Sequence, residues 1–326
     1  MAEHTKHKQT AAKGTHPLRV AYLGPAGSFS EEALLGSSLE GIEPLATDTI
    51  PDAIKMADAL EADAAFVPLE NSIEGSVNAT LDELIFTSDL FITAEVVFNV
   101  HLQLLAKEKM ALRDIKEVIS YPVAAAQCRE FLYAKLPQAE LRAVSSTSEA
   151  ARIVSQSQEK AIAAVAPLLS AELYGLQVIQ HNIEDYHGNQ TRFVLVQKRK
   201  IPKRSDSDKT TIVCFQKKDK PGNLHAIVGQ FAARSINLAR IESRPTKKAL
   251  GDYCFVIDLE GHVSDEVVSD CLAELYAELG HIKFLGSYPA HNRANRNLAE
   301  IKETRHQAIK WLGDLKSCLE EEKKQK

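Results

Sequence analysis

The residues with the most chemistry to offer lie between Pro68 and Asp82, where Glu70, Asn71, Ser72, Glu74, Gly75 and Ser76 crowd together. They follow the apolar run Ala64-Ala65-Phe66-Val67, short enough to be a buried strand, and precede 78–86, which reads as a helix. Polar groups spilled between a strand and a helix are a common ligand-binding place in α/β proteins. Asn and Ser also satisfy ordinary turns, so the stretch alone leaves both readings open. A second such place is the turn Gly24-Pro25-Ala26-Gly27 followed by Ser28-Phe29-Ser30-Glu31. Glu31 three residues after Ser28 fits a capping box, and the N–H groups of a helix start can seat an anion. The turn is neither a Walker loop nor a GxGxxG. A third is Asn189-Gln190-Thr191-Arg192-Phe193, a polar entry into the apolar run Val194-Leu195-Val196.

These groups need strands and helices to hold them, and the pattern supplies both. Leu18 to Leu23 is a strand candidate, and 32–35 continues the helix begun at Ser28. Val118-Ile119 precedes Ser120-Tyr121-Pro122, where proline suits a first helical turn, and one helix is expected from there through Gln127 and Cys128 to Leu132. Leu141 to Val144 is a strand; Ser146-Thr147-Ser148-Glu149 is another capping box opening a helix over 150–155. Ala161 to Ala166 is a buried strand, followed by a helix from Pro167 to Tyr174 that Gly175 stops. Alternating strands and helices imply a largely parallel sheet. Several hydroxyl-rich helix starts at strand ends suggest one cleft receiving a polyanion.

Beyond the basic stretch 198–209, with Pro202, Ser205 and Ser207, the rhythm changes. Strand 210–215, the turn Asp219-Lys220-Pro221-Gly222, helix 224–233, strands 236–241 and 253–259, helix 267–279 and strand 282–285 make a βαββαβ ferredoxin-like unit. From Asn292 to Lys326 one charged helix is expected, with Leu298, Ile301, Ile309, Leu312, Leu315 and Leu319 on one face.

Composition narrows the class. The 326 residues suffice for about two domains. A net charge of −5 gives no reason to expect nucleic acid, and no apolar run reaches membrane-spanning length. Residues 1–17 are read as a disordered tail without the apolar core of a secretory signal. Five cysteines, an odd number with no CxxC, fit reduced thiols in a cytoplasm. Neither HExxH nor a Cys/His cluster occurs, so no metal is expected.

From about Leu18 to Pro289 the chain resembles prephenate dehydratase with a C-terminal ACT regulatory domain. The motifs that carry the likeness are Leu23 to Ser30, Pro68 to Asp82, Ala126-Gln127-Cys128, Asn189 to Phe193, Ile241-Glu242-Ser243-Arg244-Pro245 and Leu285-Gly286-Ser287-Tyr288-Pro289. The resemblance implies a two-lobed, periplasmic-binding-protein-like α/β catalytic domain over 18–198, a linker over 199–208, the ACT domain over 209–290 and a helical extension over 291–326. It implies decarboxylating dehydration of prephenate to phenylpyruvate, without a cofactor, with feedback by phenylalanine and assembly as a homodimer or homotetramer. No chorismate mutase segment is expected before the first strand. Thr191 matches the family's principal catalytic threonine; Asn71, Gln127 and Ser120 match polar active-site positions. Glu70, Ser72, Ser28, Gly27, Arg192 and Phe193 are expected to contact substrate, although Arg192 could equally pair with an acid elsewhere. Asn223, Leu224, His225, Asn237, Leu238, Glu242 and Ser243 are expected at the phenylalanine site. The family usually reads Ser-His-Pro-Gln where this chain has Ser120-Tyr121-Pro122-Val123. Arogenate dehydration and a non-catalytic amino-acid sensor are the alternative readings.

Overall fold

The computed structural model describes residues 16–216, 220–249, 251–291 and 306–316. In chain order the N-terminal part begins with β1 (Leu18–Leu23), α1 (Phe29–Leu35), β2 (Ile42–Thr47), α2 (Ile50–Asp58), β3 (Ala64–Asn71) and the short β4 (Gly75–Ser76). It continues through α3 (Asn78–Asp82), a single π-turn (Glu83–Thr87), β5 (Leu90–Asn99) and β6 (Gln103–Ala106). Then come β7 (Glu117–Ser120), α4 (Pro122–Gln127), α5 (Arg129–Lys135), β8 (Glu140–Ala143), α6 (Thr147–Gln156), β9 (Ile162–Ala166), α7 (Leu168–Tyr174), β10 (Gln177–Gln180) and β11 (Gln190–Lys198). The C-terminal unit is β12 (Asp208–Phe215), α8 (Asn223–Ala232), β13 (Leu238–Pro245), β14 (Tyr253–Glu260), α9 (Glu266–Leu279) and β15 (Ile282–Pro289). Its order is the expected βαββαβ.

Two sheets form two lobes. The first runs β2-β1-β3-β11-β5, with β4 against β3; the second runs β10-β6-β9-β7-β8. A largely parallel sheet was expected, but each lobe is mixed. Strand β1 is parallel to β2 and β3, while β11 is antiparallel to both β3 and β5. In the second lobe β7 is parallel to β8 and β9, while β6 is antiparallel to β9 and β10. The antiparallel strands are those that carry the chain between lobes: β5 leads into β6, and β10 leads back into β11. A chain that leaves one sheet and later returns to it enters as an antiparallel strand, which helix-by-helix reading does not reveal.

Local chemistry explains the element ends. Ser28, Thr49 and Ser146 cap α1, α2 and α6 by accepting from Glu31, Asp52 and Glu149 N–H. Gly175, at φ 65°, ends α7 in the left-handed conformation. The single helix expected from Ser120 to Leu132 is broken at Cys128 (φ −114°, ψ 17°), a buried residue in the second lobe's core. The helix expected over 78–86 loosens into the π-turn, whose region offers carbonyls of Ile85 and Ser88 to the Lys283 ammonium at 3.0 and 2.8 Å. Of the C-terminal helix, residues 306–316 are helical and exposed, and the rest lies outside the described residues.

The third sheet, β13-β14-β12-β15, has two different faces. Ile212, Cys214, Ile257 and Leu259 pack under α8 and α9 with Phe231, Val268 and Leu275. Val213, Cys254, Val256, Leu285 and Tyr288 face the first lobe and join Val67, Leu81, Ile92 and Val194 in one continuous apolar cluster. Among the described residues no helix is long and apolar enough to cross a membrane.

Candidate active site

The lobes enclose a cleft of about 530 Å³. It opens at the carboxyl ends of β1, β3, β7 and β8, as expected for α/β sheets. The first lobe contributes Gly24, Pro25, Ser28, Ser30, Asp48, Asn71, Glu74 and Thr191; the second contributes Tyr121, Val123, Gln127, Ser145, Ser146, Thr147 and Glu149. Asn189, just before β11, sits where the chain crosses back. The capped starts of α1 and α6 both open here, which brings the hydroxyl-rich helix starts together as the sequence suggested.

At the centre is a chain of amides with a fixed direction. Ile73 and Glu74 N–H both donate to Asn71 Oδ1 at 2.9 Å, so the Asn71 amide nitrogen must face the other way. It donates to Thr191 Oγ1 at 2.9 Å and to Asn189 Oδ1 at 2.8 Å. Asn189 Nδ2 then donates to Gln127 Oε1 at 3.1 Å, and Gln127 Nε2 points to the Glu74 carboxylate at 3.5 Å. The result ties both lobes to one hydroxyl. Thr191 Oγ1 accepts from Asn71, which leaves its own hydrogen free to donate into the cleft. Strand pairing sets this up: Thr191 on β11 lies opposite Asn71 on β3. A network in which each group polarises the next is stronger inside a protein than in water.

The other expected positions scatter. Ser28 lines the cleft, but its hydroxyl is engaged with Leu23 O and Glu31 N–H. Gly27 does not line the cleft; its N–H donates to Glu31 Oε2 at 2.6 Å and its carbonyl accepts from Ser170 Oγ at 2.8 Å, across the lobes. A Cβ there would meet Ser170 Oγ at 3.0 Å, and its φ of +81° also favours glycine. Beside this clasp, Leu169 N–H donates to the Glu32 carboxylate, whose pKa burial pushes up. Ser120 is buried beneath the cleft and bonds Tyr121 O. Ser72 straps β3 to the Gly188–Gln190 segment rather than facing the cleft.

Three expected substrate contacts point elsewhere. Phe193 is core, stacked on Phe66 with centroids 5.0 Å apart. Glu70 faces the third sheet, 3.6 Å from Arg192 and 3.8 Å from Arg240. Arg192 is buried on that same side, bonded to Glu95 at 2.7 Å, Asp258 at 2.5 Å and Tyr288 Oη at 2.7 Å. Burial alone would raise the Asp258 pKa, but the charges of Arg192 and Arg240 outweigh it and hold the carboxyl below its usual range. Period-two alternation explains Glu70 and Arg192: with Asn71 and Thr191 turned to the cleft, their immediate strand neighbours face away. Phe193 is on the Thr191 face but lies deeper in the strand, where that face is packed core.

Sequence reasoning left Asn189, Glu74 and Asp48 out of the site. Asn189 was visible in the motif Asn189 to Phe193, but its linking role depends on a loop geometry that no spacing rule gives. The family-departing Tyr121 and Val123 both line the cleft.

On the third sheet, Asn223, Leu224 and His225 line a groove of about 510 Å³ with Phe255, whose strand partner is Ser243. Glu242 lies on the opposite face, accepting from Ser76 Oγ and Arg240. Asn237 bonds Glu260, and Leu238 packs into the helix-side core. The expected effector residues therefore do not form one cluster.

The family model for prephenate dehydratase matches residues 20–201. The prephenate dehydratase of Bacillus subtilis (strain 168) is 37% identical over 283 residues, which cover 84% of this chain and 99% of that protein. The crystal structure of prephenate dehydratase from Arthrobacter aurescens in complex with L-Phe superposes with a TM-score of 0.79 at 36% identity, covering 91% of this chain and 99% of that one. A structure described as GqqA, a novel type of quorum quenching acylase, superposes at 0.76 with 29% identity over 83% of this chain and 98% of its own.

Proposed function

The chain belongs to the prephenate dehydratase family, and we propose that its cleft converts prephenate to phenylpyruvate through the Thr191 hydroxyl. The observation that carries this is the Asn71-to-Thr191 hydrogen bond of 2.9 Å within the cleft. In the reaction the ring carboxylate leaves as carbon dioxide, its bonding pair enters the ring, and the ring C–O bond breaks. The oxygen gains one proton and departs as water. Aromatisation drives the step, so the protein's task is to stabilise the oxygen as it takes up negative charge. Thr191, made a better donor by Asn71, does so; the proton comes finally from solvent. Asn189 and Gln127 keep the amide chain aligned, and the N–H groups at the start of α6 with Ser146 and Thr147 receive a substrate carboxylate. Ser120 supports the β7 end from below.

Among the described residues, those lining the cleft include Asp48, Glu74 and Glu149 but no lysine, arginine or histidine. Those carboxylates favour a second reading for substrate preference: arogenate, whose side chain carries an ammonium in place of the keto group. Acyl hydrolysis, which the acylase neighbour raises, would need a base beside a lining hydroxyl. Thr191 is instead held by an amide donor.

We read 18–198 as the catalytic unit and 209–290 as the regulatory unit, joined by 199–208, with phenylalanine in the groove beside Asn223, Leu224 and His225. The Arthrobacter aurescens complex with L-Phe supports that effector. Assembly as a homodimer or homotetramer fits the open edge of β13, where Ile241 is exposed. A cytoplasmic setting fits the free, buried thiols of Cys128, Cys214, Cys254 and Cys271.

The test is phenylpyruvate formation from prephenate and from arogenate, each with and without phenylalanine. Thr191→Ala should lower kcat roughly 10²–10⁴-fold. Weaker binding with unchanged kcat would remove the hydroxyl from the mechanism.

A further inference from the structure

We infer that Arg192 is a positioning residue for this reaction: clamped between the first lobe and the regulatory sheet, its guanidinium holds the tip of β11 so that the Thr191 hydroxyl stays on Asn71. The inference rests on the dehydratase reading of the cleft and extends it to a residue that never touches substrate.

The need for an anchor comes from the β11–β3 ladder. Val194 pairs with Val67 and Phe193 with Pro68, but Arg192 pairs with Glu70 and Thr191 with Asn71. Leu69 is therefore the extra residue of a bulge between Arg192 and Phe193. Bulges of this kind recur beside active sites, where they re-aim a side chain. Here the register that brings Thr191 opposite Asn71 differs by one residue from that of the strand body. On the β5 side the tip is paired in unbroken register, Thr191 with Phe98 and Arg192 with Val97; what the ladders leave open is the alignment of that tip with Asn71 across the bulge on the β3 side.

Arg192 meets that need. Its side chain is 10% exposed, and the carboxylates of Glu95 and Asp258 are 1% exposed. Nε donates to Glu95 on β5, one terminal nitrogen to Asp258 on β14 and the other to Tyr288 Oη on β15. The partners are themselves fixed: Thr211 Oγ1 donates to Asp258 at 2.7 Å, its oxygen lies 2.6 Å from Tyr288 Oη, and Lys209 Nζ donates to both Glu95 oxygens. A guanidinium held at three nitrogens by three strands cannot shift without breaking charged, buried bonds. Such a network gives little net stability over an apolar packing of the same shape. Its location, one residue from the hydroxyl that acts, points to geometry as its use.

Arg192→Lys keeps the charge and loses the fork. Tyr288→Phe removes one hydroxyl and serves where the lysine variant fails to fold. In folded protein, checked by circular dichroism and thermal melting, each should lower kcat for phenylpyruvate formation, the lysine variant by roughly 10–100-fold, since an ångström of misplacement can cost that much. KM should stay within about twofold of the unmodified chain, because Arg192 lies outside the cleft. The same substitutions in a Thr191→Ala background should cause little further loss, since a residue acting through Thr191 has nothing left to position. An unchanged kcat in folded variants would overturn the inference, and so would a loss that adds fully to that of Thr191→Ala. If the unmodified chain made no phenylpyruvate from either substrate, the dehydratase reading itself would fall. Turnover by the unmodified chain with additive variants would overturn the positioning role alone.

Discussion

At the scale of single residues, the useful distinction is between an amide that donates and one that merely fits. Asn71 Oδ1 is saturated by two backbone N–H groups of its own turn, so the carbonyl half of the side chain builds the turn and the amino half serves Thr191. Asn71→Asp separates these roles. The carboxylate retains the turn-building acceptors but cannot donate to Thr191, and it places a negative charge beside the oxygen that is acquiring one. We expect kcat for phenylpyruvate formation to fall roughly 10²–10³-fold, the usual loss for one preorganised donor, with a modest drop in melting temperature because the carboxylate also faces Asn189 Oδ1 and Gln190 O. A variant that keeps its rate would show that Thr191 needs no partner. Thr191, Asn71 and Gln127 were legible because their types suit the chemistry and their motifs matched a family. Glu70 and Phe193 were expected at the substrate because adjacency in a motif was taken for adjacency in space, whereas Arg192 was left open and takes its other alternative, pairing with acids elsewhere in the fold. Period-two alternation, applied once Thr191 was assigned to the cleft, would have sent Arg192 to the other face.

At the scale of elements, buried strands and capped helices read well because their causes are local. The Ser28 and Ser146 caps, the Gly175 stop and the run Ala161 to Ala166 each depend on a few neighbouring residues. What escaped was set from a distance. The sequence alone shows no breaker at Cys128, which is buried under the second lobe where α4 gives way to α5. Strand β15 is a further case: it was expected to end at Leu285 but runs on to Pro289, pairing with β12 as far as Asp208 and packing against β5. Gly286 makes that approach possible. A Cβ at this position would stand 2.3 Å from Ile92 O and 2.8 Å from Ile92 N, both backbone atoms that cannot swing aside. Its φ of +147° adds to the preference for glycine. Gly286→Ala should therefore destabilise by about 1–3 kcal/mol or more, as overpacking does, and lower the melting temperature of the intact chain. An alanine variant that melts like the unmodified chain would mean that β15 and β5 are not packed this closely.

At the scale of the whole molecule, the third sheet is built into the first lobe. The basic stretch around Lys203 and Arg204 reads as a linker, and a linker invites the idea of two separable domains. The packing argues otherwise: Val213, Val256, Leu285 and Tyr288 belong to the same apolar cluster as Val67, Ile92 and Val194. Across the same boundary Arg244 donates to Asn78 and Asp82, Ser76 donates to Glu242, and Arg192 reaches Asp258. The strand β13 that pairs Ser243 with Phe255 of the third-sheet groove thus carries Glu242 and Arg244 toward the segment that presents Asn71. A chain ending at Lys198 would not simply lose its C-terminal unit. It would uncover the outward faces of β5 and α3, leave Arg192 without Asp258 and Tyr288 and leave Glu95 without Lys209, a loss of buried charge partners that typically costs about 3–5 kcal/mol. Such a truncated protein should bind an apolar dye, aggregate or melt well below the intact chain, and its turnover should fall with its structure. The intact chain should show its first-lobe and third-sheet signals melting together. A truncated chain that stays monodisperse, binds no dye and keeps full turnover would show that the shared core is dispensable.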